Sequence, residues 1–536
     1  MAVPEHAPSE RAVTVLPGLA SRRARRWVAF SLGVLLPLAF APFGWFWLAP
    51  LSYAVLLYCW TDVPSGRGFW LGFVYGCASF GGGTYWTYIA VREMGGAPLA
   101  VALFLTVGLT MVCAAFVGAA GFIAARWFRT SGVAARLVTL PALFVLCEWA
   151  RGWMFTGFGW LSAGYSQTSS WLMGYAPLLG VHAMSWAVLV TAGALVTLVE
   201  AATRARTTGE AAPPRTRYAG ALGAVLVVAA VWAGGFAARS HRWTTPQSRA
   251  ISVALLQGSI AQELKWKPEK LEDTLTLYAR LTTQNLGMDL IVWPEAAVPT
   301  LIDYVGDYVD GLRKASAQRG STVLMGILRA DPASHGEQNV VVALTQPTQT
   351  YVKRHLVPFG EYFPVPSFIR SWMRLMNLPY TDITAGAPNQ PLIDAAGQQL
   401  AVTICYEDVF GAEQLRYLPA ATLLVDVSND AWFGDSIAPH QHLQIAQVRA
   451  AEAGRYLLRA TNTGVTAVVD DTGRVEATLP QFKTAVLKAT VRGFEGATPY
   501  AVLGNWAVVL LAIGATLTQL PALVGRLGRP RQARPS

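Results

Sequence analysis

Three short segments of the sequence each set a reactive side chain directly behind an apolar run. They are Asp289-Leu290-Ile291-Val292-Trp293-Pro294-Glu295, then Tyr351-Val352-Lys353 running on to Gly360-Glu361, then Val402-Thr403-Ile404-Cys405-Tyr406-Glu407-Asp408. Folds of the α/β kind build their sites at such strand ends. Pro294 cannot continue a central strand, so the chain must turn there and Glu295 falls at the strand end. A thiol attacks only as thiolate, and an ordinary pKa of about 8.5 leaves it a few per cent ionised near neutrality. A carboxylate within hydrogen-bond reach can take the thiol proton, and an ammonium can stabilise both the thiolate and the oxyanion of a tetrahedral intermediate. Glu295 and Lys353 supply those two groups for Cys405. Singly, each has an ordinary explanation: a carboxylate capping a helix, a solvated edge-strand lysine, a buried core thiol. Together they point to acyl chemistry through a covalent thioester.

The elements that must position these residues lie in two solvents. Of 536 residues 53% are hydrophobic and only 14% charged, against about 25% charged in soluble domains, so much of the chain must face lipid. Apolar stretches near 27–43, 45–60, 68–90, 97–125, 137–152, 176–199, 218–237 and 499–523 predict about eight membrane helices. Pro37, Pro42, Gly44 and Pro50 interrupt the first two, which could form a broken hairpin. Four of the five cysteines (Cys59, Cys77, Cys113 and Cys147) sit in these runs, which leaves Cys405 without a disulfide partner in the polar part of the chain.

The net charge of +10 comes from arginines clustered beside the apolar runs: Arg22 to Arg26, Arg126 to Arg136, Arg204 to Arg217 and Arg526 to Arg534. That pattern argues for membrane orientation and against nucleic acid. With eight spans all these clusters fall on one side, cytoplasmic by the positive-inside rule, so both termini are expected there. The polar region is expected outside, in the periplasm of a bacterium with an outer membrane. No cleavable signal peptide is evident. The expected domains are transmembrane helices over 1–237, a catalytic domain over 238–498, and a last helix with a basic tail over 499–536.

Within 238–498, apolar β-rich runs alternate with helical segments: 251–256, 290–293, 322–327, 339–344, 400–404 and 423–427, with a helix over His442 to Arg455 between two strands. Strands this apolar are covered on both faces, which predicts a layered α/β fold.

The order Glu, Lys, Cys, with Trp-Pro-Glu at 293–295, Lys-x-x-Leu-Val-Pro-Phe-Gly-Glu-Tyr at 353–362 and Ile-Cys-Tyr-Glu-Asp at 404–408, resembles the nitrilase superfamily. Membrane spans on both sides make the chain similar to the apolipoprotein N-acyltransferase branch of that superfamily. The resemblance implies a nitrilase-like α-β-β-α sandwich beside an α-helical transmembrane bundle. It implies Glu295 as general base, Lys353 as transition-state stabiliser and Cys405 as nucleophile, with Glu361 positioning the lysine and Tyr406 and Glu407 supporting the site. Trp266 falls in a segment that resembles the family's loop carrying an aromatic near the substrate entrance. Ser428 to Gly434, with His440-Gln441, resembles the strand and loop after the nucleophile. The implied reaction moves an acyl chain from a phospholipid, phosphatidylethanolamine at sn-1, to the N-terminal amine of a diacylglyceryl-cysteine apolipoprotein. It implies no cofactor and no metal, and the enzyme is expected to act as a monomer in the bacterial inner membrane.

Further residues need a reading. Glu148 and Arg151, three apart at the end of the fifth span, either bind a lipid headgroup or pair with each other at the interface, since ionisable groups at mid-bilayer cost about 2.5–3.5 kcal/mol each. Phe359 to Tyr380, carrying Tyr362, Phe363, Phe368, Trp372, Met373 and Met376, either packs into the domain or forms an apolar arm over the site; the lipid substrate favours the arm. His182 and His355 read as ordinary polar contacts. Two rivals remain: a membrane-tethered amidase of the same superfamily, in which water resolves the thioester, and a transporter with an inactive nitrilase-like sensor, for which the spans offer few polar residues.

Overall fold

A computed structural model describes residues 21–128, 130–207, 214–334, 336–363 and 383–519. Most of the expected aromatic arm, including Phe368, Trp372, Met373 and Met376, lies outside the described residues, as do Arg129 and the basic tail.

The first part of the chain is helical: α1 (Arg22–Leu35), α2 (Leu48–Cys59), α3 (Ser65–Gly83), α4 (Leu99–Trp127), α5 (Leu140–Arg151), α6 (Ala176–Thr207) and α7 (Pro214–Ser240). Every expected span coincides with a helix. Among the described residues, however, only Leu99–Trp127, Trp171–Thr203, Ala219–Ser240 and Pro499–Leu517 are long and apolar enough to cross a membrane. Part of the difference from about eight has a local cause: α3, at 19 residues, is long enough but not apolar enough, whereas α1 has 14 residues and ends in a 3-10 turn at Pro37, and α2 has 12. The last two fall short of the roughly 20 residues that a full crossing needs. Where α3 crosses α4, the small residues Gly68, Gly72 and Gly76 face Gly121, Val117 and Ala114 so closely that a Cβ on Gly72 would lie 2.5 Å from the Val117 carbonyl. Small-residue stripes let helix backbones approach in lipid, where no hydrophobic effect drives them together.

Two sheets follow. The first has strand order β13-β1-β2-β4-β5-β6, with β3 (Val298–Leu301) paired to β4. Its members are β1 (Thr244–Gln257), β2 (Leu290–Val292), β4 (Thr322–Ala330), β5 (Glu337–Ala343), β6 (Gln349–Val352) and β13 (Ala485–Gly496). The second has order β12-β11-β10-β9-β8-β7, built from β7 (Ile393–Ala395), β8 (Gln398–Ile404), β9 (Leu423–Ser428), β10 (Leu457–Thr461), β11 (Ala467–Val469) and β12 (Val475–Thr478). All six expected strand runs are present. Alternation along β1 explains why its run is apolar throughout: Ile251, Val253 and Leu255 enter the core between the sheets, while Ala254 and Leu256 pack outward. The outward side is covered by α8 (Leu271–Thr283) and α9 (Gly306–Gln318), through Tyr278, Leu281, Val309 and Leu312.

The helix expected over 442–455 is α10 (Ala438–Ala453), which ends where Gly454 adopts φ +61, the left-handed stop that glycine takes most readily. It is buried on both sides. Leu443, Ala446, Ala450 and Ala453 pack on the second sheet, while Ile445, Val448 and Ala451 join the core of the helical bundle. Its polar residues also reach the bundle. Gln441 accepts from Trp86 Nε1 at 3.1 Å and donates to Gly83 O at 3.0 Å, and Gln444 accepts from Ala41 N at 3.1 Å. Glu452 pairs with Arg449 at 2.9 Å and accepts the Val181 N–H at 2.8 Å, just past the break in α6 at Leu179 and Gly180. A last helix, α11 (Pro499–Leu517), follows β13 directly and packs against the bundle through Val508 and Val509.

Both members of the Arg449–Glu452 pair are almost wholly buried. Removing one leaves the other as an uncompensated charge at the junction, which typically costs about 3–5 kcal/mol. Glu452→Ala should therefore lower the melting temperature of the detergent-solubilised full chain by several degrees, whereas Gly108→Ala, with open space at its Cβ, should leave it unchanged. An unaltered melting curve for Glu452→Ala would remove this pair from the junction's account.

Candidate active site

Strand ends from both sheets and one loop bring the predicted residues together. Lys353, one residue beyond β6, places its Nζ 3.1 Å from Glu295 Oε1 and 2.8 Å from Glu361 Oε1. Glu295 follows β2 and the turn at Pro294. Its Oε1 also accepts from Asn339 Nδ2 at 2.8 Å, and its Oε2 from the Asn429 N–H at 2.9 Å. Glu361 is tied to its own loop, since its Oε2 accepts the Val357 N–H at 2.8 Å. Cys405 directly follows β8 and adopts φ +53, a left-handed conformation unusual for a residue with a Cβ. The strand thus ends in a sharp turn at the thiol.

The electrostatics set the resting proton positions. Burial disfavours a charged Glu295, but the Lys353 ammonium, together with Lys265 and the Asn339 amide, outweighs it and holds the carboxyl below the usual range. Burial likewise works against a charged Lys353, and the carboxylates of Glu295 and Glu361 reverse that and push it well up. The Cys405 thiol is pushed well up, first by burial and then by the Glu295 charge, with Lys353 opposing. The resting site is therefore carboxylate, ammonium and thiol. Glu295 is available as a base, and its charge keeps the proton on sulfur until an electrophile draws the sulfur electrons away.

Glu407 holds the turn from beneath. Its Oε2 accepts the Ile404 N–H at 2.8 Å, and its Oε1 accepts the Arg354 N–H at 2.7 Å and the His355 N–H at 3.2 Å. It thereby ties the nucleophile segment to the segment after Lys353. Tyr406 points the other way: its hydroxyl donates to Gly157 O at 2.7 Å, and its ring stacks on Trp160 at 5.7 Å. Both partners lie in the loop after α5, so the residue next to the nucleophile is fastened to the helical bundle.

Glu148 and Arg151, in the last turn of α5, hold the same loop. Their bonds run to its backbone and neighbours instead of to each other: Glu148 accepts from the Ala163 N–H at 2.8 Å, and Arg151 donates to Trp160 O at 2.8 Å and Ser162 Oγ at 3.1 Å. Arg151 reaches the site through Trp160, whose carbonyl it bonds and whose ring stacks on Tyr406. Trp266 is half exposed. His182 lies 3.6 Å from Glu148, and His355 joins Glu413 at 2.9 Å and Thr156 O at 3.1 Å, polar contacts as expected.

Lys265, Asn339 and Asn429 enter the site without having been assigned a part from the sequence. Lys265 is fully buried and donates to the Glu295 carbonyl at 3.2 Å; burial depresses its ammonium to about 8 against the pull of Glu295. The one legible signal for Asn339 was a polar residue opening an otherwise apolar run. Donor atoms of Cys405, Asp430 and His442 gather within 4.8 Å of one another, but Asp430 and His442 are already bonded together and flanked by the Arg459 guanidinium, whose charge opposes a metal cation there.

Residues 32–194 match the family described as the apolipoprotein N-acyltransferase N-terminal domain, and residues 252–500 match the carbon-nitrogen hydrolase family. The chain is 40% identical over 488 residues to the apolipoprotein N-acyltransferase of Methylococcus capsulatus, with 91% of this chain and 94% of that one covered. It is also 40% identical over 491 residues to the apolipoprotein N-acyltransferase of Azotobacter vinelandii, with 91% and 93% covered. A solved CN-hydrolase superfamily protein from Xanthomonas campestris covers 53% of this chain and 100% of its own, at 17% identity and a TM-score of 0.34.

Because the Glu295 charge raises the Cys405 thiol, Glu295→Gln should shift the pH dependence of Cys405 alkylation by iodoacetamide to lower pH. The same change removes the base, so acyl transfer should fall by about 10²–10⁴-fold. Alkylation that becomes slower, with its midpoint unmoved or raised, would contradict the electrostatic account.

Proposed function

The chain belongs to the apolipoprotein N-acyltransferase family, and from that premise we propose how its own residues perform the acyl transfer. It is a membrane acyltransferase, and the observation that carries the mechanism is the buried Glu295–Lys353–Glu361 ion set beside the Cys405 thiol. The phospholipid ester carbonyl enters next to Cys405. As sulfur bonds to the carbonyl carbon, the thiol proton passes to Glu295, and the carbonyl electrons move onto oxygen. Lys353 stabilises that oxyanion, a role worth about 10²–10³-fold in rate for a single donor. Collapse breaks the ester bond and returns the Glu295 proton to the departing lysophospholipid oxygen, which leaves the acyl chain on sulfur as a thioester. In the second half the α-amino group of a diacylglyceryl-cysteine N-terminus attacks the thioester, Glu295 accepts the amine proton, and the thiol is restored. Glu361 keeps Lys353 aimed, and Glu407 and Tyr406 hold the nucleophile's turn. Trp266, half exposed, contacts substrate at the entrance, and the loop set by Glu148 and Arg151 faces the lipid donor.

Residues 238–498 act as the catalytic domain between the N-terminal region 1–237, with its transmembrane helices, and the region 499–536, with its last helix and basic tail. Arginines open α1, close α4 and open α7, and the far end of α7 leads directly into β1. That arrangement supports an inner-membrane enzyme whose catalytic domain faces the periplasm, and the family membership supports phosphatidylethanolamine as donor, with the enzyme acting as a monomer. Confinement of both lipidated substrates beside the site raises their effective concentration.

Incubating the purified full chain with phosphatidylethanolamine should add one acyl mass to the intact protein, lost in Cys405→Ala and discharged by a diacylglyceryl-cysteine peptide. Should water discharge the adduct as fast as the peptide does, the hydrolytic amidase reading would replace this one. Lys353→Met should slow adduct formation by about 10²–10³-fold, and a wild-type rate there would remove the lysine from the mechanism.

A further inference from the structure

A second buried charged cluster touches the nucleophile, and it does so through the backbone. His442 on α10 places Nε2 3.2 Å from the Cys405 carbonyl oxygen and 2.8 Å from Asp408 Oδ1. Its Nδ1 lies 3.1 Å from Asp430 Oδ1 and 2.7 Å from Arg459 Nη2. Arg459 on β10 completes the cluster, reaching Asp430 at 3.1 Å and Asp408 at 3.4 Å and bonding to Asp426. None of these side chains is more than 1% exposed.

The two nitrogens of the ring are not equivalent. Nδ1 faces both an acceptor, Asp430, and a donor, Arg459, so its proton is optional. Nε2 faces only acceptors, the Cys405 carbonyl and the Asp408 carboxylate, so it carries a proton in either charge state of the ring. Nε2–H is shared between the Cys405 carbonyl and the nearer Asp408 Oδ1, whichever charge state the ring holds.

That carbonyl belongs to the residue at φ +53. A left-handed conformation at a non-glycine residue costs about 1–2 kcal/mol and persists only where the surroundings hold it. On the amino side Glu407 holds the Ile404 N–H at 2.8 Å. On the carboxyl side His442 holds the Cys405 carbonyl. The two bonds grip the turn from both ends, and the second comes from a helix seated on the membrane bundle, with Trp160 of the bundle 5.9 Å from the imidazole.

We propose that His442 is a positioning residue for the acyl transfer, its Nε2–H fixing the Cys405 carbonyl and with it the direction in which the thiol points. The assignment rests on Cys405 as the nucleophile. It also makes α10 the element through which docking on the membrane bundle sets the geometry of the attacking sulfur.

The test uses the full-length enzyme in detergent with phosphatidylethanolamine as donor, reading thioester formation by intact-protein mass, KM for the lipid, and the melting curve. His442→Gln keeps an amide N–H near the place of Nε2, whereas His442→Asn keeps one only near Nδ1. Misaiming a reacting group by about 1 Å can cost about 100-fold. His442→Asn should therefore slow thioester formation by about 10- to 100-fold with KM unchanged, and His442→Gln should restore most of the rate. If His442→Asn does not fold, His442→Met, which also lacks a donor at the place of Nε2 and brings no polar atom into the cluster, carries the test with the same expected loss. A wild-type rate in folded His442→Asn or His442→Met, or equal losses in the Gln and Asn variants, would each overturn the assignment. A wild-type enzyme that forms no adduct would instead overturn Cys405 as nucleophile, and this inference with it.

Discussion

An ammonium group shut away from water stays charged only if carboxylates surround it, and that constraint organises this site. Lys353 is 1% exposed. Deprived of both Glu295 and Glu361 it would sit as an uncompensated charge, at a cost of several kcal/mol. The two carboxylates come from different places in the chain, one behind β2 and one from the loop after β6, so the ion set can form only when the first sheet and that loop are correctly assembled. Asn339 and the Asn429 N–H then fill the remaining lone pairs of Glu295, and the Asn429 bond reaches across to the second sheet. The charged centre thereby joins the two halves of the sandwich. The same field determines chemistry: it leaves Glu295 as the available base while holding the thiol neutral.

A second constraint comes from lipid. The substrates implied by the family are embedded in the membrane, so the catalytic domain has to be held in one orientation to the bundle. The contact is a buried interface with matched polar groups, centred on α10, and not a flexible tether. Gln441, Gln444, Arg449 and Glu452 turn toward the bundle while the alanines of the opposite face lie on the second sheet. The bundle returns the contact through the loop after α5, in which Phe155, Thr156 and Gly157 all take positive φ. Carbonyls of that strained turn accept from His355 and Tyr406. Glu148 and Arg151 set the loop's shape from the bundle side, which explains two ionisable residues near the end of an apolar helix without requiring that they pair with each other.

The strands and the chemistry were legible for a common reason. A strand covered on both faces is apolar at nearly every position, so 251–256, 290–293 and 423–427 stand out against polar connections in spite of Ser252 and Asp426. Strands β7 and β12 did not, because they lie at a sheet edge and tolerate polar residues; β12 alternates between partly buried and exposed positions. Membrane helices were legible as apolar stretches, but their number was not, because a proline turn and short lengths decide whether a stretch crosses or ends inside the bundle. The parts played by Asn339, Asn429, Lys265 and His442 were not legible, since each acts through bonds to residues distant in the chain.

The sequence by itself determined which groups are available for chemistry, because thiol, carboxylate and ammonium are fixed by residue type and their strand-end placement by the proline and apolar runs before them. It also determined that the chain lives in two solvents, since the lack of charge over long stretches leaves no other place for them. Tertiary structure alone decided which proton each group holds, because a pKa depends on burial and on charges brought near from elsewhere in the chain. It alone decided that Tyr406 faces the membrane bundle, that Glu148 and Arg151 serve a loop, and that His442 lies against the Cys405 carbonyl. Those are statements about distances between residues far apart along the chain, and such distances do not exist until the chain has folded.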